Sequence, residues 1–199
     1  MTIRIAHHAG IGRRDARSGA CRRFAVVLGL LIPLSAAATG CSIEEVLPAP
    51  NCVGDSTVIL AAQSVPTAEF VPCFEPLPAG WDVVTTTIDQ DGTVVRFDSD
   101  RAGSSAAVFR YADACDLTNA VRAPSEFAFV DRYELVERVS PALRSQRFYV
   151  FDGGCAWWEF DFDADAPSVL SIELGDQLEL LSRLELNQSI HETFIDEDV

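Results

Sequence analysis

Apolar and polar residues alternate along much of this chain from residue 57 onward, and this is the period of β-strands. Residues 81–88 and 93–98 are two such segments, and Asp91-Gly92 between them predicts a hairpin turn. Further strands are predicted at residues 105–111, 133–139, 147–152 and 155–163. The pattern therefore predicts an antiparallel sheet of about five to seven strands.

The segment 155–163 shows most clearly which side chains face the core. Trp158, Phe160 and Phe162 share one face of the predicted strand, whereas Trp157, Glu159, Asp161 and Asp163 share the other. Successive side chains of a strand point to opposite faces. We therefore expect Trp158 in the core and Trp157 on the acidic, solvent-facing side.

The period changes to that of a helix after Pro167. Four leucines recur at helical spacing: Leu170, Leu174, Leu178 and Leu181. They predict a helix over 167–183 that packs across the apolar face of the sheet. A second short helix is predicted at 116–122. Strands in runs with segregated helices indicate an α+β fold with a C-terminal helix on one face of the sheet.

The first forty residues have a different composition. Arg22-Arg23 precedes residues 24–38, an uncharged apolar run that is too short for a membrane span and typical of a signal peptide. The run ends in Ala36-Ala37-Ala38-Thr39-Gly40, directly before Cys41. This part of the chain resembles the bacterial lipobox, in which a small residue precedes an invariant cysteine, although Ala38 stands where the family prefers leucine.

The resemblance implies that Cys41 receives a diacylglycerol after cleavage of residues 1–40. Lipidated Cys41 would then hold the protein on the extracytoplasmic face of the cell membrane. The competing interpretation is simple cleavage that releases a secreted protein. The residues around Arg22-Arg23 favour general secretion over twin-arginine export. We divide the chain into a signal peptide (1–40), a tether (41–56), one α+β domain (57–184) and an acidic C-terminal tail (185–199).

Four cysteines remain after Cys41: Cys52, Cys73, Cys115 and Cys155. An even number in an exported domain predicts two disulfides. Three connectivities are possible, and we favour Cys52–Cys73 with Cys115–Cys155 because each pair brackets a compact stretch of chain. None of the four forms a Cys-x-x-Cys pair, so a zinc site is not predicted.

The charge of the exported part limits its partners. Residues 41–199 contain 29 Asp and Glu against 9 Arg and no Lys, a net charge of −20. Such a surface repels phosphate backbones and anionic headgroups, so we predict no nucleic-acid partner. We expect association with a membrane only through lipidated Cys41.

The sequence contains no catalytic motif, and we predict no catalytic residue, metal or cofactor. His191 is the only histidine after the leader. It lies in a polar segment near the C-terminus, where we expect it to be solvated rather than catalytic. Asp89-Gln90-Asp91-Gly92 and the group Asp161, Asp163 and Asp165 offer carboxylates of the kind that bind calcium. A hairpin turn and a solvent-facing strand edge explain the same residues and are favoured.

The most distinctive candidate surface consists of Trp157, Glu159 and Asp161. An exposed indole beside carboxylates could stack a sugar ring or a cation. The sequence thus favours a non-catalytic binding domain with an envelope protein or glycan as its partner. The alternatives are a carboxylate-dependent hydrolase of envelope glycans, which needs two facing acids in a cleft, and a ligand carrier, which needs an enclosed apolar cavity.

Overall fold

The computed structural model describes residues 47–53 and 56–195. The helices are α1 (Ser56–Ser64), α2 (Leu170–Gly175) and α3 (Arg183–Ile195). The strands are β1 (Phe70–Phe74), β2 (Trp81–Asp89), β3 (Gly92–Ser99), β4 (Gly103–Ala112), β5 (Val121–Ala123), β6 (Asp131–Arg138), β7 (Arg144–Phe151), β8 (Gly154–Asp161) and β9 (Leu178–Ser182). The predicted signal peptide and Cys41 lie outside the described residues.

The main sheet has seven strands in the order β2-β3-β4-β8-β7-β6-β5, and every neighbouring pair is antiparallel. The predicted hairpin joins β2 to β3, and the backbone N–H of Asp91 donates to Asp89 Oδ1 at 2.9 Å. Gly92 is required there because its φ is +126° and a Cβ would lie 2.0 Å from the carbonyl oxygen of Tyr111. The predictions of an antiparallel sheet and of this turn are confirmed.

The core lies on one face of this sheet, which we call the inner face. Trp158 is completely buried, and its ring centroid is 5.0–5.6 Å from those of four phenylalanines: Phe74, Phe97, Phe109 and Phe160. A second layer covers the inner face. It consists of α1, α2 and the two-stranded antiparallel sheet β1–β9, and it contributes Val65, Phe74, Leu170, Leu174 and Leu178 to the same apolar cluster.

The predicted helix over 167–183 is wrong in its length. Only Leu170–Gly175 are helical, and Leu178–Ser182 form β9, which pairs with β1. Within β9, Leu178 and Leu180 are buried and Glu179 is exposed, which is the alternation of a strand. β1 leaves backbone donors and acceptors that need a partner, and β9 supplies them. The pairing with a distant segment therefore overrides the helical spacing of the leucines.

The predicted helix at 116–122 is also wrong. The carboxylate of Asp116 accepts a hydrogen bond from the Thr118 backbone N–H at 2.9 Å, and Asn119 has a φ of +65°. A residue in the left-handed region interrupts a helix, and Asp and Asn favour local turns of this kind. The chain therefore makes turns here and then enters the short edge strand β5.

The predicted acidic tail, 185–199, begins within α3 and is helical as far as Ile195. Ser182 and Glu185 form a capping box, in which Glu185 N donates to Ser182 Oγ at 3.2 Å and Ser182 N donates to Glu185 Oε2 at 2.8 Å. Leu186 of α3 packs with Val58 and Val71 in a second apolar cluster formed with α1 and β1. α3 therefore packs on α1 and β1, and it is not the predicted helix over 167–183, of which only α2 is helical.

The described end of the predicted tether is packed against the domain. The carbonyl oxygen of Pro50 accepts a hydrogen bond from Phe74 N at 2.8 Å, and Asn51 forms a parallel bridge with Phe74. Both favoured disulfides are present, Cys52–Cys73 with a Cα–Cα distance of 4.9 Å and Cys115–Cys155 with one of 5.9 Å. They join the start of the domain to β1 and the loop before β5 to β8.

Candidate ligand-binding face

The face of the main sheet opposite the core, which we call the outer face, carries Trp157, Glu159 and Asp161 on β8. Trp158 is fully buried whereas Trp157 is half-buried, so the predicted orientation of the two tryptophans is confirmed. β8 lies between β4 and β7, which places side chains from both neighbours beside the three residues. Three neighbouring strands therefore contribute side chains to this surface.

The indole of Trp157 is held in place on two sides. Its ring stacks on that of Phe148 from β7, with centroids 6.4 Å apart and an interplanar angle of 25°. Its Nε1 donates a hydrogen bond to Glu159 Oε1 at 3.0 Å. A ring fixed in this way presents its remaining surface without a large loss of side-chain entropy when a ligand binds.

Glu159 has a second partner across the sheet. Arg110 of β4 donates from Nε to the same Oε1 at 2.8 Å, and both side chains are about one-third exposed, at 33% and 35%. Glu159 thus links Trp157 to Arg110. The carboxylate is fixed at the centre of a three-residue polar cluster rather than extending freely into solvent.

Asp161 is paired in the same manner with Arg144 of β7. Arg144 Nη2 lies 2.6 Å from Asp161 Oδ2, and Nε lies 3.3 Å from Oδ1, which is a two-bond contact between guanidinium and carboxylate. The hydrogen bond and the charge of Asp161 raise the pKa of the Arg144 guanidinium further above its ordinary value. Two arginine–carboxylate pairs therefore lie side by side on the outer face.

A groove of about 420 Å³ runs along this part of the outer face. Its charged and amide side chains are Arg96, Glu137, Arg144, Gln146, Glu159 and Asp161. Arg96 of β3 is exposed, and it makes no ion pair with any residue the structure describes. A smaller pocket of about 160 Å³ adjoins Trp157 and Arg110 at the β2–β3 turn.

The arginines were missed by the sequence analysis. Strand alternation does place Arg96 and Arg110 opposite buried phenylalanines, and therefore on the outer face. Only the strand order shows that β4 and β7 flank β8, because these pairings join residues up to 49 positions apart. Without that order, Glu159 and Asp161 look like an unpaired acidic edge.

The site offers hydrogen-bond donors and acceptors rather than a catalytic pair. Glu159 and Asp161 belong to one strand, and each accepts hydrogen bonds from an arginine. A glycosidase needs two carboxyl groups on opposite sides of the scissile bond, one of them protonated. Acid–base chemistry would need one of these two carboxyl groups to be protonated and released from its arginine partner.

The structure also bears on the metal-site and ligand-carrier alternatives. Within residues 47–53 and 56–195, no group of three or more His, Cys, Asp and Glu side chains is placed to hold a metal ion. Asp89 and Asp91 form the hairpin turn described above. At the centre of the core, where a ligand carrier would need a cavity, the aromatic rings around Trp158 fill the space. The side chain of His191 is outside the described part.

No protein-family model, curated protein or solved structure matches the chain. Among the helices that the structure describes, none has the length and apolar character needed to cross a membrane.

Proposed function

We propose that this protein is anchored by lipidated Cys41 on the extracytoplasmic face of the cell membrane and binds an envelope glycan without altering it. The support for the anchor is the lipobox-like sequence before Cys41 and the leader of the first forty residues. Two disulfides agree with folding in an oxidising compartment outside the cytoplasm. The net charge of −20 for residues 41–199 favours an uncharged ligand over an anionic one.

The observation that carries the binding proposal is the fixed, half-buried indole of Trp157, which lines the smaller pocket and is hydrogen-bonded to Glu159 of the polar groove. A sugar ring has an apolar face that packs on an aromatic ring, and its hydroxyl groups both donate and accept hydrogen bonds. The Arg110–Glu159 pair places donors and acceptors next to that ring, and the Arg144–Asp161 pair adds further ones four residues along β8. This combination fits a neutral, hydroxyl-rich ligand.

Binding can be tested by sedimentation of the purified protein with isolated bacterial cell-wall glycan. We expect Trp157→Ala to weaken binding by about tenfold or more, because the stacking surface is lost. The matched control is Phe129→Ala, which removes an aromatic side chain that is 90% exposed and lines neither the groove nor the smaller pocket at Trp157. Equal binding by wild type and Trp157→Ala would contradict the proposed surface.

The hydrolase alternative is separated from binding by an assay for new reducing ends in the same mixture. A non-catalytic protein leaves their number unchanged over long incubation. Release of reducing ends that disappears in Glu159→Gln would instead establish the alternative, because this change removes the carboxylate and keeps the side-chain volume.

The anchor is tested separately with Cys41→Ser. The variant should move from the membrane fraction to a soluble or unprocessed form because the attachment site for the acyl chains is absent. Membrane fractionation and the intact mass of the processed protein provide the measurement. Unchanged membrane association of a correctly cleaved Cys41→Ser product would contradict the lipobox interpretation.

A further inference from the structure

A second groove lies on the opposite side of the sheet, between β6, β7 and α2. Its volume is about 340 Å³, within the range of small-molecule sites, which begins at about 300 Å³. One part of its wall is apolar and is formed by Val136, Val139, Leu143 and Ile172. Val136, Val139 and Ile172 are 53%, 61% and 51% exposed, which makes this one of the apolar areas of the surface.

The polar part of the groove contains Arg147, whose side chain is only 12% exposed. Its Nε lies 3.3 Å from Glu134 Oε1 but makes no well-aligned hydrogen bond, and this nitrogen is buried. Its Nη1 is 2.5 Å from the position that a Cβ on Gly175 would occupy. The guanidinium is therefore held between β6 and the end of α2, where it lines the groove.

Arg147 shares its carboxylate partner with a second arginine. Glu134 Oε1 also accepts a hydrogen bond from Arg132 Nη2, and Arg132 Nη1 donates to Glu126 Oε2 at 2.9 Å. The hydroxyl of Tyr149 donates to the other oxygen of Glu126 at 2.7 Å. Two guanidinium groups and two carboxylates thus balance in charge, while the partners of the five Arg147 N–H donors in the described structure are one shared carboxylate and the hydroxyl of Tyr149.

We propose that this groove binds a neutral acyl compound, an aliphatic chain that ends in an amide or ester carbonyl. The chain packs along Val136, Val139 and Ile172, and the carbonyl oxygen accepts a hydrogen bond from the Arg147 guanidinium. A neutral acceptor suits the site because the charges of the four-residue network already cancel. An anion should bind less well, because it would add a negative charge to a balanced, partly buried network in a strongly negative domain. The inference is independent of the outer face.

The test is a titration of the purified, disulfide-bonded protein, followed through the methyl NMR signals of Ile172 and Val139. The probes are octanamide, octanoate and octylamine, which share one chain length and differ in charge. Octanamide should shift these signals to saturation, and the two charged probes should bind about tenfold more weakly or worse. Arg147→Met keeps an unbranched apolar stem as far as the position of Nε and removes the guanidinium donors, and should weaken octanamide binding by about tenfold.

A pair of exposed substitutions keeps the test valid if Arg147→Met does not fold. Ile172→Ser removes part of the apolar wall and should weaken octanamide binding, whereas Val169→Ser, at a 58% exposed position that does not line the groove, should not. The proposal is overturned if octanamide does not bind, or if octanoate binds as tightly. It is also overturned if Ile172→Ser and Val169→Ser bind octanamide equally well.

Discussion

Alanine substitution of the two adjacent tryptophans should have very different effects on the free energy of unfolding. Trp158 is completely buried, and its ring centroid lies between 5.0 and 5.6 Å from those of four phenylalanines. Truncation of a buried aromatic side chain to alanine costs about 3–5 kcal/mol, a measured range that already includes lost ring contacts, and four aromatic neighbours place Trp158 in its upper half. We therefore expect Trp158→Ala to cost about 4–5 kcal/mol.

Trp157→Ala should cost about 1–2 kcal/mol. The indole is half-buried, stacks on one ring, that of Phe148, and donates one hydrogen bond to Glu159. A hydrogen bond to a charged group contributes about 1.5–3 kcal/mol when both groups are well buried. Here the contribution is smaller because Glu159 is 35% exposed and keeps its bond with Arg110 when the indole is removed.

Unfolding of the disulfide-bonded protein in guanidinium chloride, followed by circular dichroism, measures both losses of stability. Each appears as a shift of the unfolding midpoint at constant slope. Domains are stable by about 5–15 kcal/mol, so Trp158→Ala should remove a large share of the total. Trp158→Phe is the control: it keeps an aromatic ring and removes a buried Nε1 that has no hydrogen-bond partner in the described structure, so it should cost less than alanine. Equal costs for the two alanine variants would refute the orientation of β8, because a one-residue shift exchanges its faces.

Three further predictions concern the rest of the domain. Leu174→Asp should cost several kcal/mol in thermal or chemical unfolding because Leu174 is fully buried, whereas Ile172→Asp on the exposed side of the same helix should change stability little. Replacing both Cys115 and Cys155 with serine removes the disulfide with the longer loop, whose sequence separation is 40. In the chain-entropy account this should lower the free energy of unfolding by about 4 kcal/mol, and an unchanged unfolding midpoint would contradict it. Burial raises the pKa of Glu126, but hydrogen bonds from Tyr149 and Arg132 outweigh it and hold that pKa below its ordinary value of 4.5. Glu126 therefore stabilises the fold above that value, and this contribution is lost as the pH falls through the folded-state pKa. Tyr149→Phe should thus lower stability at neutral pH by about 1 kcal/mol and reduce its acid dependence, as followed by unfolding at a series of pH values.

Strand periodicity was sufficient to predict the central part of the main sheet. β2, β3 and β4 contain the predicted strands, β6, β7 and β8 overlap theirs and end one or two residues earlier than predicted, and Asp91-Gly92 makes the predicted turn. These features depend on residues that are close together in the chain, and the side-chain period of a strand is the same wherever the strand packs. For the same reason, the orientation of Trp157 and Trp158 could be read without knowing any neighbouring strand.

Local pattern could not decide between helix and strand after Pro167. Leucines four residues apart fall on one side of a helix, and they also fall on one face of a strand because four is a multiple of two. The free edge of β1, about a hundred residues earlier, decided the matter by pairing with Leu178–Ser182. The capping box at Ser182 and Glu185, by contrast, was a local signal for α3 that the sequence contained.

The two grooves depend on tertiary structure more than any other feature. Glu159, Arg110 and Arg144 belong to three different strands, and Arg147 meets Glu134 only because β6 and β7 pair in one register. Composition determines that this domain is acidic, since the count of charges does not depend on how the chain folds. The fold decides which charges meet, because the distances between them follow from strand order and register rather than from separation along the chain.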